Sequence, residues 1–460
     1  MGRNITKPES VAGRFIEPLE RRALLSGTPV PVNGAPEFQV NVQTAGSQFP
    51  GFGDRSIATD AQGAFVVAWQ SINNGVSNLY ARRYDAAGNA LGGEIKVNTQ
   101  SGVPSIPEYS VAMNAGGSFV VVWRHAYTVS KNTSSSDVHG QRFDPSGSPV
   151  GGEFVASSSS NGHSYPTVGM ADDDSFVVAW MRNSGSQKEG WNVYGQRFAA
   201  GGAKVGAEFR VNDYLPGEQG HPSLAMDGQG NFLLAWQSPN QDGSDYGVYA
   251  RRYNTSGAAI SGEFRVNVKT SGRQAEPSAA LLPDGGFVAA WHDLVPGVSG
   301  SSDVRLRRFD ASGVGSAEQV VNTHTAGDQE FPKVAADAQG NATVVWCDTS
   351  GQDGSDYGVF GQQYDASGQL SGSEFQLNSH SDGQQAGCFV AAQPEGKFVA
   401  VWESYGQDGD MEGVFARLFQ PPVTTTNTST SNSLFSSTSI GGDSSTSLKD
   451  ETSLAGQLLG

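Results

Sequence analysis

Three loops of this 460-residue chain repeat nearly the same acidic sequence, and their side chains are of the kind that binds a hard cation. The loops occupy residues 241–247, 352–358 and 407–413, and each holds two Asp residues around a glycine. Carboxylates so spaced can fold back on one Ca²⁺, with carbonyls and water completing its roughly six to eight oxygen ligands. The alternative is a plain polar turn in which each Asp accepts hydrogen bonds from its own backbone. Both interpretations stay open, and the candidate calcium ligands are Asp242, Asp245, Asp353, Asp356, Asp408 and Asp410.

Aromatic residues accompany these loops. Trp191 is the only tryptophan outside a repeated position, and Tyr246, Tyr357 and Tyr405 lie in or beside the acidic loops. Exposed aromatic rings next to acids and amides suit sugars or protein partners. In the alternative interpretation, each ring covers its own loop. We predict these four residues as ligand contacts, with a carbohydrate or an extracellular protein as the partner.

The composition excludes several other partners. Asp and Glu number 46 against 29 Lys and Arg, which gives a formal net charge of −17 at pH 7. Nucleic acids and anionic membranes are held mainly by basic side chains, so neither is expected as a partner. No run of about 18 apolar residues occurs, and no transmembrane helix is predicted. The 60 glycines, without a collagen period and with 10% aromatic residues, are typical of a turn-rich β protein.

One unit of about 55 residues is copied seven times. Each copy has four strand-like segments separated by turn residues, which predicts antiparallel meanders. The segments are a strand with a small central residue, an apolar run that ends in Trp, a strand with Arg and an aromatic residue, and Glu-Phe-x-Val-Asn. The repeated tryptophans are expected in the core, and they lie 54 to 57 residues apart at Trp69, Trp123, Trp180, Trp236, Trp291, Trp346 and Trp402.

The phase of the repeat predicts a closed ring. The first recognisable element is a lone fourth strand at residues 37–41, and the last copy stops after its third strand at residues 415–420. Pairing these two segments in one sheet would close the ring and remove two exposed edges. We therefore predict an all-β, seven-bladed β-propeller over residues 37–420, with four antiparallel strands per blade and the N-terminal strand completing the last blade. The small residues of the first strands would line its axis.

A propeller has two rims, which differ here. The loop rim carries the connections from second to third strand and from each fourth strand to the next blade. It holds the acidic loops and the four aromatic residues. The turn rim carries the remaining connections, which are short Asp-x-x-Gly turns such as residues 337–340 and 365–368. Their uniformity indicates a structural role.

The repeated sequence also resembles a known type of propeller repeat. Gln-Asp-Gly-Ser-x-Tyr-Gly-Val-Tyr-x-x-Arg-Tyr-Asp, followed by Gly-x-Glu-Phe-x-Val-Asn, is similar to the repeat of large bacterial extracellular and adhesin-like proteins, some of which carry calcium-binding repeats. The resemblance covers residues 37–420. It implies an extracellular or cell-surface location and brings no catalytic residues. The glycine-rich nonapeptide calcium repeat of those proteins is absent.

The two ends of the chain do not follow the repeat. Within residues 1–36, the segment 17–26 resembles the export segment of planctomycete-type bacteria, roughly Glu-Pro-Leu-Glu-x-Arg-x-Leu-Leu-Ser. We expect an exported protein with a mostly disordered leader. Residues 421–460 are dominated by Ser and Thr and are predicted to be a disordered tail.

The chain has two cysteines, Cys347 directly after Trp346 and Cys388 in a slot that holds proline in other copies. Both should lie near the loop rim on adjacent blades. A disulfide is one outcome, but it requires Cα atoms closer than about 7 Å, which the sequence does not give. Two isolated cysteines do not make a zinc site.

The favoured function is a secreted or surface-attached, non-enzymatic module that presents the loop rim to a carbohydrate or protein partner, as a monomer, with calcium as a candidate stabilising ion. The alternative is a polysaccharide-active lyase or glycoside hydrolase using rim acids and histidines. No nucleophile motif or phosphate loop is present, and no catalytic residue is assigned. An enzyme should gather His, Arg and Tyr around one deep pocket at the axis. The histidines in question are His125, His163, His221 and His292, and the simpler interpretation is that they are scattered over the surface.

Overall fold

The computed structural model describes residues 29–32, 36–51, 53–99, 108–130, 133–158, 162–186, 188–294 and 302–421. The export segment and the Ser/Thr-rich tail lie outside these residues. No helix among the residues described could cross a membrane.

The described residues form seven antiparallel sheets, which confirms the predicted all-β seven-bladed propeller. Strands β1 and β2 come from the N-terminal segment and are Val30–Pro31 and Phe38–Gln39. Blade 1 contains β3 Ser47–Phe49, β4 Ile57–Thr59, β5 Phe65–Asn73, β6 Val76–Tyr84 and β7 Ile95–Lys96. Blade 2 contains β8 Tyr109–Met113, β9 Phe119–Ser130, β10 Thr133–Phe143 and β11 Pro149–Val155. Blade 3 contains β12 His163–Met170, β13 Phe176–Asn183, β14 Trp191–Phe198 and β15 Lys204–Arg210.

The remaining four blades continue the same order. Blade 4 contains β16 Gly220–Met226, β17 Phe232–Pro239, β18 Tyr246–Tyr253 and β19 Phe264–Arg265. Blade 5 contains β20 Arg273–Leu281, β21 Phe287–Leu294, β22 Ser302–Phe309 and β23 Gln319–Val320. Blade 6 contains β24 Gln329–Ala336, β25 Ala342–Asp348, β26 Gly358–Tyr364 and β27 Leu370–Gln376. Blade 7 contains β28 Gln385–Ala392, β29 Phe398–Tyr405 and β30 Glu412–Gln420.

The ring closes as the repeat phase predicts. Strand β2 pairs antiparallel with β30, with Phe38 opposite Ala416. Strand β1 pairs with the far end of β30, with Val30 opposite Gln420, so the closing sheet also uses residues upstream of the predicted boundary at 37. Closure removes the open edge of the last sheet, which would otherwise present unpaired backbone groups to other chains.

The core lies between neighbouring sheets. All seven repeated tryptophans are fully buried, with at most 1% of their surface exposed. In six of the seven blades the first residue of the second strand is a Phe that stacks on the aromatic residue of the third strand, as in Phe176 on Phe198, with ring centroids 4.6 Å apart and an interplanar angle of 3°. In blade 6 this residue is Ala342. Each large ring removes about 150 Å² or more from water, so these pairs are a main source of stability. The repeated aromatic positions are therefore structural.

The Glu-Phe-x-Val-Asn segment joins the blades. Its Glu accepts a hydrogen bond from a backbone N–H at the end of the preceding fourth strand, as Glu318 does from Val268 at 2.7 Å. Its Asn accepts one from the third strand of its own blade, as Asn267 Oδ1 does from Val248 at 2.8 Å. Glu37 of the N-terminal segment makes the same contact with Ser379 of blade 6 at 2.9 Å. The closing strand is thus held like every other fourth strand.

Candidate functional site at the axis of the loop rim

A cavity of about 180 Å³ lies at the loop-rim end of the propeller axis. Pockets that enclose drug-sized ligands have roughly 300–1,000 Å³, so this cavity suits one unit of a longer molecule. Its walls come from the starts of the first strands of blades 3 to 7 and from residues that follow the buried tryptophans. The lining includes Asp54, Tyr165, His221, Glu276, Glu330, Phe331, Lys333, Cys347, Tyr357, Cys388 and Glu403.

Four of these residues, in successive blades, share an uncommon backbone conformation. Tyr165, His221, Glu276 and Phe331 have φ of 49°, 48°, 54° and 55°, in the left-handed region. Each is followed by a proline, and both the bulk of these side chains and the following proline make this region unusual. A residue held there costs on the order of 1–3 kcal/mol. Such strain at one wall of one cavity makes these residues candidates for a functional role.

A local irregularity of the first strand explains how these side chains reach the axis. The pairing of first and second strands shifts register between Ser164 and Thr167 in blade 3 and between Gly220 and Ser223 in blade 4. The same shift occurs between Ala275 and Ser278 in blade 5. Such bulges bend a strand and redirect a side chain, and they are frequent next to active sites. The proline that follows cannot donate to the strand ladder, so it suits a bulge.

The floor of the cavity comes from an insertion in blade 1. In blade 1, 10 positions separate the Gln that precedes the first strand from the small residue at the centre of that strand (48 to 58), whereas in blade 4 only 6 positions do so (219 to 225). Blade 1 therefore has four extra residues. In this insertion, Asp54 accepts hydrogen bonds from the Thr167 hydroxyl of blade 3 at 2.7 Å and from the Leu224 N–H of blade 4 at 3.3 Å. The insertion therefore crosses the axis.

Blades 5 and 6 also contact this insertion. Arg55 donates to the Ala279 carbonyl at 2.9 Å, and Lys333 donates to the Gly53 carbonyl at 3.1 Å. Asp54 lines the loop-rim cavity, whereas Arg55 lines a second cavity of about 420 Å³ at the turn-rim end of the axis. The insertion thus separates two chambers of one axial channel.

Three carboxyl groups of the cavity have raised pKa values. Burial raises the pKa of Glu276 to about 7, Lys333 and Arg273 oppose this shift, and Glu330 adds to it. Burial also raises the pKa of Glu330. Asp328 adds to the shift of Glu330, and Arg273 opposes it. Burial raises the pKa of a third acid, Glu403, to about 7.

His221 is the cavity imidazole and stays neutral near pH 7. Burial, aided by Lys333 and Arg273, lowers its pKa to about 4. Its ring lies 4.2 Å from the ring of Tyr165, centroid to centroid, with the planes inclined by 36°. Burial raises the pKa of Tyr165 to about 12, so its hydroxyl remains protonated. This pair offers hydrogen-bonding groups and an aromatic surface to a polar ligand.

The four aromatic residues predicted as ligand contacts do not form one site. Only Tyr357 lines the axial cavity. Tyr246 lies under the Arg273 guanidinium, 5.0 Å from its ring centroid, and Tyr405 is 52% exposed on the loop rim. Trp191 begins β14, is partly buried and lies against Gly162 in the connection that leads into β12, and it does not line the cavity.

The acidic loops have the hydrogen bonds of turns. Asp353 accepts hydrogen bonds from the Ser355 N–H at 3.1 Å and from Asn378 Nδ2 at 2.8 Å. Asp242 has the equivalent partners, and Asp408 accepts from the Asp410 N–H. Asp245 and Asp356 are exposed, and Asp410 accepts from the Gly46 N–H at 2.9 Å.

These bonds favour the turn interpretation. Among the described residues, no three His, Cys, Asp or Glu side chains are placed to hold a metal ion. A calcium site at these loops stays a prediction.

The interpretation of the four histidines as scattered surface residues is wrong for most of them. His221 lines the cavity, and His292 lies behind it, 6.4 Å from the Phe331 ring. His163 and His292 are buried, and burial lowers the pKa of His292 to about 4. His125 stacks near His139 on blade 2, with centroids 4.4 Å apart.

Glu276, Glu330, Lys333 and Asp54 were not identified from the sequence. Two signals could have found them. One is the variable residue before proline at the start of each axial strand, and the other is the four-residue excess of blade 1. Both are breaks in an otherwise regular repeat.

No protein-family model and no curated protein match this chain. Among solved structures, the polysaccharide lyase Uly1 is similar over 86% of this chain and 98% of its own, with 10% identity and a TM-score of 0.51. An α-L-arabinanase of Penicillium chrysogenum is similar over 74% of this chain and 99% of its own, with 12% identity and a TM-score of 0.46. A protein of unknown function from Dyadobacter fermentans covers 84% of this chain at 9% identity, with a TM-score of 0.46. The likeness to the lyase supports the propeller fold and carries no residue roles.

Proposed function

We propose that this protein is a carbohydrate-cleaving enzyme with its active site in the axial cavity, where Glu276 is the general acid and Glu330 the second carboxyl group of a glycoside hydrolase. The observation that carries the proposal is that these two acids, on adjacent blades, both line the axial cavity, where burial raises the pKa of each. Glycoside hydrolysis needs one carboxyl group that donates a proton and one that is ionised. Environments that separate two titrations supply that pair.

Glu276 has the properties of the proton donor. Its backbone N–H donates to Gln237 Oε1 at 3.0 Å, and its conformation before Pro277 fixes the direction of its side chain. A general acid works best when its pKa lies near the working pH. Glu330 would then act as base or nucleophile, and the separation of the two carboxyl groups in a substrate complex would decide the stereochemical outcome.

The charge of the protein favours hydrolysis of a neutral polysaccharide over eliminative cleavage. Elimination needs a uronate substrate, whose carboxylate must be neutralised. The chain carries a net charge of −17, which repels polyanions at long range. The cationic side chain that lines the cavity, Lys333, already donates to the Gly53 carbonyl. His221, Tyr165 and Phe331 would instead bind sugar hydroxyls and the faces of sugar rings.

The test is an activity screen on neutral polysaccharides, such as arabinan, xylan, galactan and β-glucan, and on uronate polysaccharides. We expect new reducing ends from a neutral polymer, with kcat reduced about 100- to 10,000-fold in Glu276→Gln and Glu330→Gln. Glu218→Gln, which alters an exposed loop-rim carboxylate outside the cavity lining, is the matched control and should keep full activity. Unsaturated products that absorb ultraviolet light would show that the reaction is elimination and would contradict the proposed hydrolysis. Binding without cleavage by the wild type would contradict an enzymatic role.

A non-enzymatic binding role of the loop rim is the second candidate, and one observation favours it. Tyr405 and Met411 are 52% and 51% exposed beside the third acidic loop, as an adhesive surface would require. In a binding assay on a glycan array, Tyr405→Ala should weaken capture if the rim binds, and Glu276→Gln should not.

Extracellular location is part of the proposal, because an enzyme of this kind would encounter its polysaccharide substrates outside the cell. Residues 17–26 also resemble an export segment. Fractionation of the producing cells tests it. Retention of the protein in the cytoplasm would contradict this part of the proposal.

A further inference from the structure

The two cysteines of the chain lie side by side in the wall of the axial cavity. Their sulfur atoms are 3.9 Å apart, and both side chains are buried, with 2% of each residue exposed. Cys347 belongs to blade 6 and Cys388 to blade 7. A disulfide has sulfur atoms about 2.05 Å apart, so the two sulfur atoms must approach each other by about 2 Å to form a bond.

The pair replaces a contact that other blades make with different atoms. In blades 3 and 4, the residue after the buried tryptophan accepts a hydrogen bond from the N–H of the strained residue in the next blade. Met181 accepts from His221 at 3.4 Å, and Gln237 accepts from Glu276 at 3.0 Å. At the interface of blades 6 and 7, the corresponding residue is Cys347. Its thiol accepts a hydrogen bond from the Gly387 N–H and contacts the thiol of Cys388.

Blade 7 also departs from the repeat in a way that accommodates the second sulfur. Blades 3 to 6 have a bulky residue followed by proline, whereas blade 7 has Gly387 followed by Cys388. Gly387 has φ of 57°, and a glycine adopts this conformation without steric cost. Blade 7 therefore has the same backbone conformation as blades 3 to 6, but without steric strain at the residue before Cys388.

Blade 7 is the point at which the ring would open. It is assembled from both ends of the chain, β28 to β30 from one and β1 and β2 from the other. Glu37 of the N-terminal segment is bound to Ser379 of blade 6, so the interface of blades 6 and 7 also holds the closing strand. A covalent bond across this interface would keep blade 7 in place if the closing strand detached.

We propose that Cys347 and Cys388 are a disulfide-forming pair that links blade 6 to blade 7. In the reaction with a peroxide, one sulfur attacks the O–O bond and becomes a sulfenic acid, with release of water. The other thiol then displaces the hydroxyl group, which leaves as a second water, and the sulfur–sulfur bond forms. Two thiols are oxidised by two electrons, and one peroxide is reduced to two waters. Hydrogen peroxide is small enough to enter the cavity that both sulfurs line.

The cysteines differ in how easily they ionise. The hydrogen bond from Cys388 lowers the pKa of Cys347, while burial raises the pKa of Cys388. The thiolate is the nucleophile, so Cys347 is the residue expected to react first with peroxide.

The experiment compares purified protein treated with reductant and with dilute hydrogen peroxide. We expect the oxidised protein to lose two hydrogen atoms in intact mass, to gain no oxygen, and to show no alkylatable thiol after denaturation. Proteolysis should yield a peptide pair joined through Cys347 and Cys388. The melting temperature of the oxidised form should rise by several degrees, because the bond closes a loop of about 40 residues.

The variants Cys347→Ser and Cys388→Ser are matched controls, since these are the only cysteines of the chain. Each should show one alkylatable thiol under reducing conditions and no rise in melting temperature after peroxide. Two alkylatable thiols after peroxide, or addition of oxygen without cross-linking, would overturn the pairing. An oxidised form that melts at or below the temperature of the reduced form would overturn the linking role. None of these readouts depends on carbohydrate cleavage.

Discussion

The same seven strands form both ends of the propeller axis, but they contribute small side chains at one end and bulky or ionisable side chains at the other. At the turn-rim end the first strands present small side chains, such as Ala225 and Ala280, and uniform Asp-x-x-Gly turns. At the loop-rim end the same strands begin with Tyr165, His221 and Glu276, all in a strained conformation. A repeat keeps identical what the architecture needs in every blade. We therefore expect function at the positions where the blades differ at a cost in stability.

The Asp-x-x-Gly turns of the turn rim are examples of positions with an architectural role. Asp337 Oδ1 accepts hydrogen bonds from the N–H groups of Gln339 and Asn341 at 2.9 and 2.8 Å. Asp365 makes the equivalent bonds to Ser367 and Gln369. These bonds lie within one turn and are repeated in other blades, as an architectural role requires.

The largest effect on stability is expected at the turn-rim half of the axis. A Cβ atom on Gly169 would lie 2.2 Å from Leu224 Cδ2 and 2.7 Å from Met226 Cβ of the next blade. Gly169→Val should therefore lower the free energy of unfolding by about 3 kcal/mol, since overpacking forces the blades apart. Gly152→Val is the control because no atom lies within 4 Å of its added Cβ. Denaturant titration measures both, and equal effects would contradict a tightly packed axis.

A pH-dependent effect is expected at the loop-rim end. The folded pKa of Glu276 is about 7, above its ordinary value of 4.5. The folded protein then binds the proton more tightly than the unfolded chain, and the stability from this group is lost as pH rises from about 4.5 to 7. Glu276→Gln should raise the stability at pH 8, by at most about 2–3 kcal/mol, and change it little at pH 4. Thermal melts across this range check the sign, and a variant that is less stable at pH 8 would contradict it.

The strain of the loop-rim residues should be measurable by removing it. Phe331 is 44% exposed and has φ of 55°, so Phe331→Gly loses little packing and gains a residue suited to that conformation. We expect a stability gain of about 1 kcal/mol together with weaker substrate binding. Gly387→Ala is the reverse change in blade 7 and should lower stability by a similar amount. Denaturation midpoints and KM values give the two readouts, and a destabilised Phe331→Gly would show that the position is architectural.

The smallest effect distinguishes turns from metal ligands on the loop rim. Asp353→Ala should lower stability by about 1 kcal/mol, because the carboxylate accepts two hydrogen bonds. Asp356→Ala removes an exposed side chain and should change stability by less than about 0.5 kcal/mol. Melts with calcium and with a chelator complete the test. A calcium-dependent loss in Asp356→Ala would support the calcium interpretation.

Much of the fold could be predicted, because its signals are local and repeated. The spacing of Trp69 to Trp402 gives the blade count, and the lone segment at 37–41 gives the closing strand, confirmed by the pairing of Phe38 with Ala416. The site was harder to predict, because its residues come from different blades. Glu276 and Glu330 are 54 positions apart, and only the ring brings both to one cavity.

The predicted site residues show the same limit. Trp191 and Asp353 were chosen because they stand out within one loop, and neither of them lines the axial cavity. His221 does not stand out in its own loop, yet it lies at the axis. Burial there, together with Lys333 and Arg273 from neighbouring blades, sets its pKa.

The sequence by itself determined the number of blades, the strand order, the core and the closure of the ring. The first three follow from hydrophobic and turn patterns that recur about every 55 residues, and the closure follows from the phase of that repeat. The tertiary structure alone decided which residues meet at the axis. The bulges that turn Tyr165, His221 and Glu276 inward, and the insertion of blade 1 that reaches blades 3 to 6, act across distances that no local pattern records. Proton affinity and strain depend on that convergence, since both follow from burial and neighbours rather than from the residue alone.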